Sequence, residues 1–312
     1  MTARTAGLAL MVIVLAAVAV VSGVRGHSVA GLAASVPVPG PPQPGDCVTS
    51  PPPPGGLGDM SAGKYLQLDL RRCAGSRYGE VVAVIANPAA PVQTRQGSET
   101  FSSNANSDVC YGATLAFVGV AAKAVIPMPL FTYWSTTVAT SIAASTPNPR
   151  QRSAGQHWLA CVTYLPATGN PQESTVRPYT NSLRNAVATG NQRNYLGLCS
   201  QSTDWSAGLS PGVCALAHRS EMLGAGQLGN APTTRADLLH TCSQFLEHRT
   251  GRNITAADGL AVSLHVTDEA SAPITTATVP ARAYLGCGVV AVGDRRLAGS
   301  LMALGNQPIP WA

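Results

Sequence analysis

Short segments in which apolar and polar residues alternate occur along the chain, and this pattern predicts strands. The clearest alternation covers residues 260–267, where Leu260, Val262, Leu264 and Val266 are separated by smaller or polar residues. Three further segments are rich in apolar residues and also predict strands: residues 80–86, 157–165 and 284–292. The pattern therefore predicts a protein built largely on sheets.

Two segments have the spacing of a helix with one apolar face. In the first, the apolar positions are Val109, Ala113, Ala116, Phe117 and Val120. The second begins at Thr234, and Asp237 follows three residues later, which is typical of a helix cap. The predicted apolar face of this second helix consists of Leu238, Cys242, Phe245 and Leu246.

One order of residues occurs twice along the chain. A cysteine, a basic residue four positions on and a glutamate seven positions on appear as Cys73, Arg77 and Glu80 and again as Cys214, His218 and Glu221. Each group follows another cysteine and precedes a predicted helix with one cysteine, an aromatic-x-x-Cys strand and a short last strand, at residues 181–183 and 299–301. We interpret this order as two degenerate copies of one module. The sequence therefore predicts an α+β fold of two tandem repeats, residues 45–188 and 189–312, each a mostly antiparallel sheet with one helix.

Eight cysteines together with an apolar N-terminal segment indicate an oxidising compartment and a disulfide framework. In each copy, the duplicated order places a loop cysteine beside the core strand and a helix cysteine facing the sheet. We therefore expect four bonds that staple the repeats: Cys47–Cys73, Cys110–Cys161, Cys199–Cys214 and Cys242–Cys287.

The N-terminal segment contains Arg4 and then an uncharged, mostly apolar run from Thr5 to Val24. A run of this length is sufficient for a membrane-spanning helix and long for the apolar part of a signal peptide. We predict an anchor helix over residues 1–24 that binds the membrane, with secretion after signal-peptide cleavage as the alternative. Residues 25–44 are predicted to be a proline-rich spacer, and both alternatives place the rest of the chain outside the cytoplasm.

Charge and short motifs argue against several classes of function. The net charge of +5 is thinly spread, so the sequence predicts no nucleic-acid partner. Residues 224–229 match G-x-G-x-x-G but lack a preceding buried strand and an adjoining helix, which predicts a flexible loop and no nucleotide. Residues 208–212 match the G-x-S-x-G motif of hydrolases, but Pro211 has no N–H for an oxyanion hole, so we predict a turn.

The second copy is rich in residues that can bind zinc, namely Cys199, Cys214, His218, His240, Cys242 and His248. The first copy keeps all four of its cysteines but has Arg77 at the position of His218, and arginine cannot bind a metal. Since the two copies are expected to share one architecture, the sequence predicts disulfides, no metal and no cofactor.

The pairs Arg77/Glu80 and His218/Glu221 are candidate binding residues or acid–base pairs. Residues three apart in a strand point to opposite faces, which disfavours a catalytic pair unless the segment turns. The structural alternative is that each glutamate binds local backbone or its own Arg or His neighbour.

These motifs resemble the actinobacterial septum-formation family over about residues 45–305. That family opens with Gly-Asp-Cys, continues with Cys-x-x-x-His-x-x-Glu-Val and a tryptophan strand, and ends near Gly-Ser-Leu. The matching segments here are Gly45-Asp46-Cys47, Cys73 to Val81, Trp158 to Cys161, Cys214 to Glu221 and Gly299-Ser300-Leu301. The sequence departs from the family at Arg77, where a histidine is expected, and by lacking Gly-Asp before Cys199.

The resemblance implies a membrane-anchored extracytoplasmic protein with a part in septation or envelope biogenesis. It carries over no catalytic residues. We therefore expect a non-enzymatic protein that binds envelope or division proteins. The alternative is a secreted hydrolase or a modulator of one, and a convergent nucleophile–base or carboxylate pair would distinguish it from the binding protein.

Overall fold

The computed structural model describes most of the chain after residue 36, in the segments 37–52, 57, 64–89, 92–96, 99–103, 105–120, 134–168, 175–190, 192–203 and 213–312. The predicted anchor helix, most of the predicted spacer and the motif at residues 208–212 lie outside the described residues. Within the described segments, no helix combines the length and apolarity that a membrane span requires. Residues 40–312 form one compact unit, which therefore includes the end of the predicted spacer.

The described residues form fourteen strands, many of them only two or three residues long: β1 (Cys47–Val48), β2 (Leu70–Arg71), β3 (Gly79–Ile85), β4 (Val92–Gln96), β5 (Glu99–Ser103), β6 (Ser135–Thr136), β7 (Ser141–Ser145), β8 (Leu159–Tyr164), β9 (Leu198–Ser200), β10 (Ser220–Gln227), β11 (Thr233–Thr234), β12 (Leu260–Thr267), β13 (Thr278–Val279) and β14 (Tyr284–Ala291). The same residues form five α-helices: α1 (Ala105–Phe117), α2 (Pro149–Ser153), α3 (Ala186–Thr189), α4 (Arg193–Leu196) and α5 (Arg235–Thr250).

The strands pair in an antiparallel manner and form two larger sheets. The first sheet has the order β2-β1-β3-β8-β7, and the second has the order β12-β14-β10-β6, with β9 also paired to β10. Two smaller sheets consist of β4 with β5 and of β11 with β13. The predicted mixture of helices and antiparallel sheets is confirmed, and the strands predicted near residues 80, 160, 260 and 284 are present as β3, β8, β12 and β14.

All eight cysteines are paired, and the four pairs are the predicted ones. Two of the bonds join a helix to a sheet: Cys110 of α1 to Cys161 of β8, and Cys242 of α5 to Cys287 of β14. The other two tie a loop cysteine to a short strand, Cys73 to β1 and Cys214 to β9. Disulfides therefore fasten α1 and α5 to the two larger sheets and hold a loop segment against each of the two short strands.

One buried apolar cluster extends from α1 and the first sheet to α5 and the second sheet. Trp134, which is fully buried, packs against Phe245 of α5 with the ring centroids 5.9 Å apart. The adjoining strand β6 pairs with β10 of the second sheet, although it precedes the predicted boundary at residue 188. Residues on both sides of that boundary therefore build the second sheet and its core.

The predicted start and apolar face of the second helix are confirmed, whereas the predicted apolar face of the first is buried only in part. In α5, Thr234 caps the helix by accepting a hydrogen bond from the Asp237 N–H, and the predicted apolar face is buried. In α1, Val109 is 51% exposed, and the buried side chains of the helix are Asn106, Cys110, Thr114, Leu115 and Phe117. The disulfide to Cys161 turns the face that contains Cys110 towards the sheet. The predicted apolar face is therefore only partly correct, because Phe117 and Val120 are buried but Val109 and Ala116 are exposed.

Two local predictions fail for a common reason, which is contact with distant parts of the chain. Residues 224–229 were expected to form a flexible loop, but Gly224 to Gln227 belong to β10. A Cβ at Gly224 would overlap the Phe245 ring, so glycine allows α5 to approach the strand closely. The short strands predicted at 181–183 and 299–301 are absent, and both segments are loops whose backbone binds a buried carboxylate.

Candidate functional site: two buried carboxylate clusters

The first cluster consists of Glu80, Arg77 and the Cys47–Cys73 disulfide. Glu80 is directly opposite Cys47 in the β1–β3 pairing and is 1% exposed. The Arg77 guanidinium donates from Nη1 to Glu80 Oε1 at 2.7 Å and from Nη2 to the Thr180 carbonyl at 2.6 Å. The arginine therefore neutralises the buried carboxylate and also holds the loop that contains residue 180.

The same loop also binds the second oxygen of Glu80. The Leu183 N–H donates to Glu80 Oε2 at 2.8 Å, and the Ser182 hydroxyl donates to it at 3.2 Å. Arg77 and Tyr179 exchange two backbone hydrogen bonds and thereby set the position of this loop. Glu80 is thus a structural link between β3 and a segment about a hundred residues away.

The second cluster consists of Glu221, His218 and the Cys199–Cys214 disulfide. Glu221 is directly opposite Cys199 in the β9–β10 pairing and is fully buried. The Leu301 N–H donates to Glu221 Oε2 at 2.6 Å, and the Ser300 hydroxyl donates to Oε1. This carboxylate therefore links β10 to a loop near the C-terminus, as Glu80 links β3 to its loop.

The two clusters differ in how their basic residue behaves. His218 exchanges two backbone hydrogen bonds with Leu297, as Arg77 does with Tyr179. Its Nδ1 lies 2.7 Å from the Leu216 carbonyl oxygen, while its buried Nε2 has no hydrogen-bond partner among the described residues. Burial lowers the pKa of His218, and the hydrogen bond to Leu216 raises it in part. Glu221 consequently has no ion pair within the described segments, whereas Glu80 does.

The structure brings each predicted pair into its own cluster and does not merge the four residues into one site. Residues three apart in a regular strand would point to opposite faces. Arg77 and Glu80 can nevertheless contact each other because the chain bends at Tyr78 before β3 begins. Both glutamates and His218 are buried, and the Arg77 side chain is 13% exposed. Both glutamates bind backbone N–H groups, as in the structural alternative given above. These N–H groups are not local, however, but belong to loops that are distant in sequence.

The sulfur atoms that the sequence offered to zinc are all in disulfide bonds. His240 and His248 lie on the exposed side of α5, apart from the His218–Glu221 cluster. With its disulfides formed, the second half of the chain therefore has no thiolate to give to a metal.

An open cleft of about 460 Å³ lies beside the first cluster and is lined by Ser76, Arg177, Pro178, Tyr179, Thr180, Gln192 and Tyr195. The Arg177 guanidinium stacks over the Tyr195 ring, 4.1 Å from its centroid. Arginine and tyrosine are the residue types that most often dominate binding energy at protein interfaces. This cleft is not evident from the sequence, because residues 177 and 195 fall on either side of the predicted boundary and belong to no motif.

The chain was compared with protein-family models, with curated proteins and with solved structures, and none of them gives a significant match. The resemblance to the septum-formation family therefore remains a hypothesis that rests on the motifs quoted above.

Glu221 is expected to make the stability of the protein depend on pH. Burial raises its pKa from 4.5 to about 7, although the hydrogen bonds from Leu301 and Ser300 and the charge of Arg193 lower it in part. A carboxyl whose pKa is higher in the folded state binds its proton more tightly when folded, so its contribution is full below about pH 4.5 and lost as pH rises through about 7. The free energy of unfolding of the wild-type protein should therefore fall by about 3 kcal/mol between these pH values, and this decrease should be absent in Glu221→Gln.

Urea denaturation of the wild-type protein and the Glu221→Gln variant at several pH values measures this contribution. The control is Glu269→Gln, which changes an exposed glutamate and should leave the pH profile as it is. Parallel pH profiles for the wild type and Glu221→Gln would contradict the prediction.

Proposed function

We propose that the chain is a non-enzymatic, extracytoplasmic protein of the cell envelope that takes part in septum formation by binding other envelope or division proteins. The observation that carries this proposal is the pairing of all eight cysteines in four bonds. Such a framework persists in oxidising compartments and is rare in the cytosol. The apolar run at residues 5–24 and the following prolines support the same location, with an N-terminal membrane anchor.

The buried clusters support a binding role over a catalytic one. Glu80, Glu221 and His218 are the residues that would be acid–base groups in an enzyme, and each is at most 1% exposed. Their hydrogen bonds fix loops to strands and leave no acid–base group at the surface of either cluster. Binding is therefore assigned to the open cleft beside the first cluster, where Arg177 and Tyr195 line the wall.

We further propose that the chain arose by tandem duplication. Several features support this: each glutamate lies opposite a cysteine of a short strand, and each accepts hydrogen bonds from a Ser-Leu pair. Each long strand also has a register shift just after its glutamate, between Val81 and Ala83 and between Met222 and Gly224. Equivalent bulges at equivalent positions are rarely coincidental, because bulges are retained within families.

Three experiments on the native host test the proposal. A fusion of the chain to alkaline phosphatase, which is active only after export, reports the location. Depletion of the protein, scored by cell length and number of septa, reports the biological role. Complementation with the double variant Arg177→Ala and Tyr195→Ala should fail if the cleft binds the partner, while Glu269→Gln should complement. An inactive fusion, or normal division after depletion together with hydrolytic activity of the purified protein, would refute the proposal.

A further inference from the structure

The second cluster brings four metal-ligand atoms together. The Sγ atoms of Cys199 and Cys214, a ring nitrogen of His218 and a carboxylate oxygen of Glu221 all lie within 4.8 Å of one another. The four residues are buried and belong to β9, β10 and the segment just before β10. Donor atoms around tetrahedral zinc are about 3.3–3.8 Å apart. Once their bond is reduced, the two sulfur atoms would have to move apart, whereas the widest pairs of the set would have to approach by only about 1 Å.

His218 is oriented as a metal-binding histidine would be. Because the Leu216 carbonyl can only accept, the contact of 2.7 Å assigns a proton to Nδ1. The neutral ring then keeps its lone pair on Nε2, which is buried and has no partner among the described residues. A histidine that ligates a metal through one nitrogen commonly donates its other N–H to a backbone carbonyl.

A glycine packs directly against the cluster. A Cβ at Gly197 would lie 2.9 Å from Glu221 Oε1 and even closer to Cys214 Sγ. Gly197 has a φ of −77°, so its backbone does not require glycine. Glycine at residue 197 therefore lets the backbone approach Glu221 and Cys214 closely, and a larger residue would displace these two side chains.

The first cluster is a natural comparison for the second. Cys47, Cys73 and Glu80 also place their ligand atoms within 4.8 Å of one another. Arg77 stands where a fourth ligand would be needed, and its guanidinium already occupies Glu80 at 2.7 Å. Only the second cluster among the described residues therefore offers four ligands.

We propose that the chain binds one zinc ion through Cys199, Cys214, His218 and Glu221 when the Cys199–Cys214 bond is reduced. A dithiol reductant gives two electrons and two protons to this bond, so that both cysteines become thiols and the reductant becomes a disulfide. Zinc then displaces the two thiol protons to solvent and binds both thiolates, His218 Nε2 and the Glu221 carboxylate. Four protein ligands complete the tetrahedral shell, which makes this a structural site. In this way the metal and the disulfide are alternative links between β9 and the segment before β10.

Cobalt(II) titration of the full-length chain in detergent tests the proposal, since cobalt reports its own ligands by absorption. The chain is first reduced with a phosphine under anaerobic conditions. We expect one equivalent of cobalt per reduced chain, with thiolate-to-cobalt charge transfer and tetrahedral d–d bands that zinc abolishes. The oxidised chain should show neither band. Equal binding by the oxidised chain, or the absence of tetrahedral bands after reduction, would overturn the proposal.

His218→Arg is the matched control, because it copies the first cluster and retains all eight cysteines. It should weaken cobalt binding by at least about tenfold, since loss of even an outer-shell partner costs 10–100-fold. Undiminished binding would assign the signal to other thiols and refute the site. If His218→Arg does not form its disulfides on oxidation, Glu221→Gln takes its place and should lose binding to the same degree.

Discussion

Replacement of Arg77 by methionine is expected to lower the free energy of unfolding by about 3–5 kcal/mol, the usual cost of removing one partner of a buried ion pair. The substitution keeps much of the apolar stem but removes the guanidinium that donates to Glu80 at 2.7 Å. Glu80, at 1% exposure, would then have only the neutral donors of Ser182 and Leu183, and its buried carboxyl group would lack a positive partner. Urea denaturation at neutral pH measures the change.

Two further variants separate the ion pair from the loss of a surface charge. Arg71→Met removes an arginine that contacts Asp69 in an exposed pair, with side chains 67% and 53% accessible, and should leave the free energy of unfolding almost unchanged. The double variant Arg77→Met with Glu80→Gln should recover part of the loss, because no unpaired charge remains buried. A single Arg77→Met variant that is as stable as Arg71→Met would contradict this role for Arg77.

Features that depend on short stretches of sequence were predictable. The alternation at residues 260–267 is sufficient to define β12, and Thr234 with Asp237 is sufficient to define the start of α5. The disulfide pairs were also predictable, because the order of residues around the cysteines repeats and limits each bond to one half of the chain. In each case the residues that determine the feature lie within one strand or helix, or in the order of residues that occurs twice along the chain.

Features that depend on packing between distant elements were not predictable. Periodicity alone favoured Val109 as a buried residue of α1, but the bond from Cys110 to Cys161 turns the neighbouring face inwards. The glycines of β10 looked like a loop because nothing local reveals that Phe245 packs over Gly224. Similarly, the partners of Glu80 and Glu221 lie 103 and 80 residues away in the chain, at Leu183 and Leu301.

The two clusters show how one arrangement can have different chemistry after a single change of residue. Both hold a carboxylate by a serine hydroxyl and a leucine N–H in a distant loop. Arg77 gives the first carboxylate a permanent positive partner, so its charge is compensated. His218 gives no such bond, and burial therefore raises the pKa of Glu221 to about 7. The expected pH dependence of stability and the proposed metal site both belong to the second cluster.

Removal of the Cys110–Cys161 bond by replacing both cysteines with alanine is expected to cost about 4 kcal/mol in the free energy of unfolding. Its two residues are 51 positions apart, and the entropy that a crosslink removes from the unfolded chain grows with the logarithm of that separation. The bond also holds α1 against β8 at two fully buried positions, where alanine leaves no unsatisfied polar group. Denaturation under non-reducing conditions measures the loss.

The matched variant replaces Cys199 and Cys214, which are 15 positions apart, and should cost about 3 kcal/mol because the loop is shorter. Both double variants keep three bonds and an even number of cysteines, so neither introduces a free thiol. Non-reducing peptide mapping of each variant checks that the remaining pairs are unchanged. The opposite order, with the larger loss of stability in the variant that lacks Cys199 and Cys214, would show that loop entropy is not the main contribution. Contacts within the second cluster would then have to account for the difference.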